Sequence, residues 1–359
     1  MCACIAVVYN KPNPSRYDRT NEQKAVVGVL EAVDAVRTSI LELGYEVVLL
    51  PLVLPFKTAR KKLASLEVEL VFNLFEGFCG EPETEALVPE ALAEMGLPFT
   101  GCEAPVLRLA LDKAKVKVLL QAAGIPTADF QLLNPETLAM FRLDYPCIVK
   151  PRAEDASHGI TADSVVRDFA SLARQVKVVA ESYGSGALVE RFVGGREFNA
   201  TVMGNSECTV LPVSEIVYSL SPGVPRILSF EAKWEPESIY FQGTKVICPA
   251  EIEPQEREYV ARIALAAFKL LGCSGYARVD MRMDEEGRLN VMEVNPNPDI
   301  SPGTGAARQA LAAGMNYTQF IDKIVKLALE KKNYDRRHPP HGRQGQTGTD
   351  ANTPEYARI

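Results

Sequence analysis

Apolar and polar positions in the first hundred residues alternate with the periods of both strands and helices. Short apolar runs at Cys4–Tyr9, Glu46–Leu50 and Glu69–Asn73 predict buried strands. Between them, capping-box spacing predicts a helix over residues 20–44, and Glu85–Glu94 predicts a second helix. Strands separated by helices in this order favour a parallel α/β sheet.

From about residue 104 onward the predicted strands become shorter and follow one another more closely. The runs that favour strands are Pro146–Lys150, Ala187–Phe192, Glu197–Met203 and Val210–Val217. The predicted helices are Asp112–Ala123, Arg257–Leu271, a helix near Gly303–Ala313, and Tyr317–Glu330. This half of the chain therefore predicts an α+β arrangement. Beyond Lys331 large aliphatic residues almost vanish, so we expect a disordered tail.

Composition narrows the class of protein. A length of 359 residues allows two or three domains, and 47% hydrophobic residues can supply a large core. The net charge of −7 and the lack of a basic stripe argue against a nucleic-acid partner. No apolar run could span a membrane, and the 8 cysteines include no CxxC pair. We therefore expect a cytoplasmic protein with small-molecule partners.

The first strand is not followed by a dinucleotide-binding loop. That fold needs Gly-x-Gly-x-x-Gly directly after the strand, where backbone approaches the pyrophosphate. Here the segment Tyr9–Pro14 contains no glycine. NAD binding is therefore not supported.

The most informative segment is a predicted hairpin over residues 275–295, two alternating runs around a Gly-ended turn. If Met283 faces Arg288, Asp280 faces Val291 and Arg278 faces Glu293. One face of the hairpin then carries four polar groups, Arg278, Asp280, Glu293 and Asn295. The other face carries Val279, Met292 and Val294. Two carboxylates and an amide suit Mg²⁺ that carries nucleotide phosphates, although a solvated face with an ordinary Arg–Glu pair is an equal alternative.

Two further segments suit phosphate and nucleoside recognition. Lys150 ends an apolar strand, and the polar loop after it contains Ser157, so both could reach phosphates. Glu190 and Glu197 flank a Gly-Gly turn and could bind amino and hydroxyl groups of a nucleoside. The simpler alternative for the first segment is a surface loop with a solvated lysine. For the second segment it is a plain hairpin with exposed glutamates. His158 is given no role.

Taken in order, the motifs resemble the ATP-grasp superfamily and, within it, the D-alanine–D-alanine ligase branch. The resemblance runs from about residue 70 to residue 330. It is carried by Val71–Leu74, Pro98–Cys102, Leu111–Lys113, Val149–Pro151, Val189–Phe192, Glu231–Lys233, Cys248–Ala250, Gly275–Asp280 and Glu293–Asn295.

This resemblance implies an α/β and α+β protein, with an N-terminal parallel α/β domain followed by a two-lobed ATP-grasp fold. We place the N-terminal domain at residues 1–103, the central lobe at 104–186 and the C-terminal lobe at 187–331. The remaining segment, 332–359, is the predicted tail. A homodimer is one assembly that the family suggests.

The resemblance also implies roles for individual residues. The nucleotide would be bound by Lys113, Lys150, Ser157, Glu190, Phe192, Val193, Glu197, Lys233 and Met292. Glu190 would lie at the adenine, Glu197 at the ribose, and Met292 would form an apolar wall. Two Mg²⁺ ions, or Mn²⁺ in their place, would be held by Asp280, Glu293 and Asn295. The residues closest to the chemistry would be Arg278, Lys233 and Ser157.

Departures from the family pattern fall where substrate should bind. Phe75-Glu76-Gly77 replaces a Leu-His-Gly motif, and Trp234 replaces a tyrosine. Asp299 lies where a neutral turn is expected, so it either receives an amine-bearing substrate or caps the helix near Ser301. The candidate substrate residues are Glu76, Trp234, Asp299 and Thr304.

Three functions follow from these observations. The favoured one is a carboxylate–amine ligase that acts through an acyl phosphate on amino acids or small peptides other than two D-alanines. The second is a true D-alanine–D-alanine ligase with different substrate contacts. The third is a nucleotide-binding regulatory protein without catalysis, against which the complete set of lysines and metal ligands argues.

Overall fold

The computed structural model describes residues 3–11, 28–155, 157–184 and 186–337, with side chains up to residue 331. The predicted helix start at Thr20 and the tail residues 338–359 lie outside the described residues. No helix in the described part of the chain is long and apolar enough to cross a membrane.

The N-terminal sheet is parallel, as predicted. Its strands are β1 (Cys4–Asn10), β2 (Glu46–Leu52) and β3 (Leu70–Leu74), in the order β2-β1-β3. Helices α1 (Val29–Glu42) and α2 (Phe56–Ala64) connect them. The central strand β1 is almost continuously apolar because helices cover both faces of the sheet. Helix α2 was not predicted.

The middle part of the chain forms a second sheet, which has four antiparallel strands. Its order is β4-β7-β5-β6, and its strands are β4 (Phe130–Leu133), β5 (Cys147–Pro151), β6 (Val165–Val166) and β7 (Ala187–Arg191). Helix α6 (Phe169–Tyr183), which was not predicted, packs on it. The Asp168 carboxylate accepts a hydrogen bond from the Ser171 N–H at the start of α6, and Gly184 ends the helix with φ of 62°.

The third sheet has six strands in the order β11-β10-β8-β12-β13, with β9 paired to β8. The strands are β8 (Glu197–Gly204), β9 (Cys208–Val210), β10 (Ser214–Tyr218), β11 (Thr244–Ile247), β12 (Gly275–Met283) and β13 (Leu289–Pro296). Its apolar face is covered by α4 (Ala104–Leu111), α5 (Lys113–Ala122) and α9 (Pro254–Leu270).

The other helices are α3 (Leu87–Glu94), α7 (Phe230–Trp234), α8 (Ile239–Gln242), α10 (Gly305–Ala312) and α11 (Tyr317–Arg337). Helices α10 and α11 join the first sheet to the third. Phe320 and Ile324 of α11 share one buried cluster with Phe72 of β3 and with Tyr276 of β12. The N-terminal domain is therefore fixed to the large sheet by a common core.

Two domain limits predicted from the sequence differ from the observed packing. Strand β7 belongs to the four-stranded sheet and not to the C-terminal lobe that was placed at 187–331. Helices α4 and α5, assigned to the central lobe, pack on the six-stranded sheet. In addition, α11 continues to Arg337, beyond the predicted start of the tail at residue 332. Strand length and polarity alone did not indicate which sheet each segment joins.

One fully buried polar side chain ties α10 to the sheet that carries the site. Gln309 Oε1 accepts from the Thr201 N–H at 2.8 Å, and Nε2 donates to Asn199 O at 2.9 Å and to Ser214 Oγ at 3.0 Å. Strands β8 and β10 are therefore bridged by a single amide.

Gln309→Leu keeps the side-chain volume but leaves the buried Thr201 N–H without an acceptor. We expect a loss of about 2–3 kcal/mol in the free energy of unfolding, measured by urea denaturation. The exposed Gln121→Leu on α5 is the matched control. Equal stability of the two variants would contradict this role for Gln309.

Candidate functional site

A cleft lies between the four-stranded and six-stranded sheets, and we call it the inter-sheet cleft. The strands β5, β12 and β13 contribute to its walls, together with the segments 154–160 and 227–233. Of the residues predicted to form a site, those lining it are Lys113, Lys150, Ser157, Phe192, Val193, Glu197, Lys233, Asp280, Met292 and Glu293. Residues far apart in the chain therefore meet in one place.

The β12–β13 hairpin has a different register from the predicted one. Met283 pairs with Leu289, so the turn holds one residue more than expected, and the register shifts again after Asp280. Asp280 consequently pairs with Glu293, and Arg278 pairs with Asn295. The two shifts add up to one full period of strand alternation, so the four polar residues still share a face.

The second shift is a β-bulge at Met292, which corrects one prediction. Met292 was expected on the apolar face with Val279 and Val294, both of which are buried in the core. The bulge instead leaves Met292 on the cleft wall beside Glu293. Val291 and Val294 point into the core on either side of it.

The polar face of the hairpin is closely hydrogen bonded. The Arg278 guanidinium donates to both carboxylate oxygens of Asp280, at 2.7 and 2.8 Å. Asn295 Nδ2 donates to Asp280 at 2.9 Å and to Glu293 at 3.3 Å. Although burial opposes its charge, the carboxylates of Asp280, Glu293 and Asp299 raise the pKa of Arg278.

Lysines from other elements neutralise Glu293. The Lys113 ammonium, with a side chain only 7% exposed, lies 3.4 Å from Glu293 and 3.1 Å from Asp155. Despite its burial, the charges of Lys113, Lys150, Arg278 and Lys233 hold the pKa of Glu293 at about 2. This carboxylate is therefore ionised at every pH at which the protein would be assayed.

Lys233 differs from the other lysines of the cleft. It lies on α7 and makes no ion pair or hydrogen bond with any other residue in the described ranges. Burial and the positive charge of Arg278 lower the pKa of its ammonium. An unpaired cation at the wall of a cleft is a position suited to an anionic group.

Glu190 lies behind the cleft and does not line it, contrary to the prediction that it faces a nucleobase. Its buried carboxylate lies 2.9 Å from Lys117 and 2.5 Å from Lys150. Lys117 is buried as completely as Glu190 and also donates to Thr127 at 2.7 Å. Sequence analysis missed Lys117, although its position one helical turn after Lys113 was a usable signal.

Glu197 has partners that the sequence analysis also missed. The Tyr218 hydroxyl donates to Glu197 at 2.6 Å, and an Arg282 nitrogen lies 3.1 Å from it. The Arg282 guanidinium lies 5.3 Å from the centre of the Phe192 ring. Arg282 follows Arg278 and Asp280 in the alternation of β12, and that alternation could have identified it.

The segment after Lys150 folds against the loop that leads to α7. Ser157 has φ of 64°, and its hydroxyl donates to the Leu228 carbonyl at 2.8 Å. The ring of His158 packs 5.6 Å from that of Phe230. Two loops from different lobes therefore meet over the cleft beside Lys233.

A second cavity lies between β3, α1 and the segment that follows β13, and we call it the acidic cavity. Its wall includes Glu76 and Asp299, which were predicted, and Glu85 and Tyr276, which were not. The other two predicted substrate residues line neither cavity: Trp234 packs against Phe230, and Thr304 donates to the carbonyls of Asp299 and Ser301.

Asp299 does not cap the helix as one alternative proposed. Its carboxylate accepts from Ser301 N–H at 2.8 Å and from Ser301 Oγ at 2.7 Å, which forms a local turn. Helix α10 begins only after Thr304.

Asp280, Glu293 and Asn295 offer the hard oxygen donors that Mg²⁺ prefers. Within the described residues no group of three or more His, Cys, Asp or Glu side chains could hold a metal ion. Two carboxylates and one amide therefore suit an ion that arrives with phosphate and water ligands, because Mg²⁺ usually keeps such ligands.

Comparisons with known proteins agree with this arrangement. A family model described as the C-terminus of D-ala D-ala ligase matches residues 119–326. The uncharacterised protein y4sG of Sinorhizobium fredii is 35% identical over 72% of this chain and 74% of its own length. D-alanine–D-alanine ligase B of Chromobacterium violaceum is 32% identical over 75% of this chain and 84% of its own.

The fold is also shared with a solved structure. The D-alanine–D-alanine ligase of Bacillus anthracis in complex with ATP superposes with a TM-score of 0.72, at 23% identity, over 93% of this chain and 99% of that one. Both the matched family model and the shared architecture cover the two sheets that enclose the cleft. The chain therefore belongs to the D-alanine–D-alanine ligase-like branch of the ATP-grasp ligases.

Proposed function

We propose that this enzyme binds ATP and Mg²⁺ in the inter-sheet cleft and joins a carboxylate to an amine. The substrates are amino acids or small peptides other than two D-alanines. The product is an amide, formed with ADP and inorganic phosphate.

The observation that carries this proposal is the distribution of charge in the cleft. Lys113 and Arg278 already neutralise Glu293 and Asp280, whereas Lys233 has no partner among the described residues. A polyphosphate would fill the space between these cations, and its Mg²⁺ would replace the cations as partner of the two carboxylates.

The reaction follows from these positions in two displacements. A substrate carboxylate oxygen attacks the γ-phosphorus of ATP, the bond to the β–γ bridging oxygen breaks, and ADP leaves. The amine nitrogen then attacks the acyl carbon, loses a proton, and the carbon–oxygen bond to phosphate breaks. Lys150 and Lys233 bind the phosphoryl oxygens from opposite walls of the cleft. Mg²⁺ on Asp280, Glu293 and Asn295 supplies further neutralisation when bound.

Arg278 is the residue placed to stabilise the acyl carbon during the second displacement. Its guanidinium is held by Asp280, which lines the inter-sheet cleft, and is affected by the charge of Asp299, which lines the acidic cavity. Such a donor can stabilise the oxyanion of the tetrahedral intermediate. The Ser157–Leu228 hydrogen bond closes the loops above it and limits hydrolysis of the acyl phosphate by water.

The substrate part of the proposal is supported by residues outside the nucleotide cleft. Glu76, Glu85 and Asp299 line the acidic cavity with three carboxyl groups. A pair of alanines offers only one ammonium besides the attacking amine, and it could neutralise only one of these carboxylates. Recognition of two D-alanines is therefore the less favoured alternative.

The first experiment is Mg²⁺-dependent ADP release with D- and L-amino acids, singly and in pairs, with products identified by mass spectrometry. We expect an amide product from a pair other than two D-alanines. D-alanine alone yielding a dipeptide would instead support the true D-alanine–D-alanine ligase. No ADP release with any amino acid would support a nucleotide-binding protein without ligase activity.

Asp280→Asn and Glu293→Gln test the metal ligands. Each removes one anionic oxygen donor without changing side-chain shape, and we expect ADP release to fall by about 10²-fold or more. Thermal unfolding should remain cooperative. Glu285→Gln, exposed in the turn of the same hairpin, is the control and should keep full activity. Near-normal turnover in both variants would contradict the assignment.

We expect the buried Glu190 carboxylate to position Lys150, and measurements of protein stability test this role. Glu190→Gln leaves the ammoniums of Lys117 and Lys150 without their counter-charge, which we expect to destabilise the protein by about 3–5 kcal/mol in urea. Adding Lys117→Met removes one ammonium and should recover part of that loss.

The control for this pair is Asp322→Asn, which breaks the exposed Asp322–Lys326 pair and should change stability by less than about 1 kcal/mol. If the double variant loses more free energy of unfolding than the two single variants lose together, charge balance at Glu190 is contradicted.

A further inference from the structure

The acidic cavity is lined by three carboxyl groups that have no described cation as a partner. Glu76, Glu85 and Asp299 line it, and none of them forms an ion pair with another described residue. No lysine or arginine from the described part of the chain is among the lining residues. The guanidinium of Arg278, on which Asp299 acts, is already bonded through two nitrogens to Asp280.

The carboxylates also act on one another. Partial desolvation and the charges of Asp299 and Asp155 raise the pKa of Glu76, which remains exposed to solvent. Desolvation, followed by the charges of Asp155 and Glu76, raises the pKa of Glu85 well above its usual range. Ionisation of Glu76 and Glu85 is therefore opposed, and a cation bound beside them would favour their ionised forms.

A separate observation also points to a ligand. Tyr276 is 1% exposed and lines the acidic cavity, and its hydroxyl makes no hydrogen bond with any residue in the described ranges. The hydroxyl is therefore free to hydrogen bond with a group bound in the cavity. A group that donates hydrogen bonds would satisfy the Tyr276 oxygen and the carboxylates together.

The position of the cavity indicates which molecule supplies this hydrogen-bond donor. Asp299, which lines the cavity, also acts electrostatically on Arg278. An amino acid whose carboxylate reacts near Arg278 would place its own α-ammonium and side chain towards this cavity. Three carboxyl groups and a tyrosine hydroxyl offer more hydrogen-bond acceptors than one α-ammonium uses.

We propose, building on the ligase function above, that the acidic cavity binds the side-chain cation of a basic amino-acid substrate. Glu85 and Asp299 pair with a side-chain ammonium or guanidinium, Tyr276 accepts from the same group, and Glu76 at the mouth pairs with the α-ammonium. The enzyme is therefore specific for a substrate with a second basic group.

The test uses amino acids that differ only in the second cation. Lysine is compared with norleucine, ornithine with norvaline, and arginine with citrulline, each as both enantiomers and with a panel of partner amino acids. ADP release gives kcat/KM for each member. We expect the charged member of at least one pair to be favoured by about 10- to 100-fold, which is typical of charge-assisted hydrogen bonds.

Variants then locate the selectivity. Glu85→Gln and Asp299→Asn keep side-chain shape, and the amide of Asp299→Asn retains an oxygen that can accept from Ser301, so both should fold. We expect each to bring the charged-to-neutral ratio towards one while the KM for ATP stays within about twofold. Glu83→Gln, exposed in the same segment and not part of the cavity wall, should keep the ratio.

The outcomes separate the two proposals. Equal kcat/KM for charged and neutral members, or a ratio unchanged in both variants, would overturn the basic-substrate inference and leave the ligase function standing. If the protein binds ATP by calorimetry but releases no ADP with any amino acid, the ligase function is overturned and the inference with it. If Glu85→Gln unfolds, Asp299→Asn alone decides the question.

Discussion

Charge compensation around Asp280 and Glu293 is the constraint on which the site depends. The two carboxylates face each other across adjacent strands, and like charges in that position repel. Arg278 lies on the same strand as Asp280, but Lys113 comes from α5 and Lys150 from the four-stranded sheet. Separate parts of the chain must therefore meet before the hairpin is electrostatically balanced, and the cleft is the place where they meet.

The two cavities follow opposite electrostatic patterns. In the inter-sheet cleft Asp280 and Glu293 each have a cation, and Lys233 is the cation left over among the described residues. In the acidic cavity Glu76, Glu85 and Asp299 form no ion pair with a described residue. An anion is suited to the first region and a cation to the second. Arg278 is bonded to Asp280 of the first region and is affected electrostatically by Asp299 of the second.

Sequence alone predicted the parallel N-terminal sheet, the ATP-grasp architecture and the polar face of the hairpin. The face was predicted correctly although the register was not, because an error of one residue at the turn and another at the bulge restored the alternation. Lys117 and Glu85 were missed, since each becomes informative only beside a partner distant in sequence. Strand β7 was assigned to the wrong sheet because its apolar pattern fits either one.

The bulge at Met292 lets the shape of the cleft wall change independently of the charged groups on the same strand. Leu289, Val291 and Val294 reach the core, and Glu293 and Asn295 reach the polar face, whether or not the extra residue is present. Met292 is thus an insertion that adds apolar surface to the cleft without moving a charged group. Evolution could vary or remove it to alter what packs against that wall while the carboxylates kept their positions, so shape and charge in this cleft can change independently.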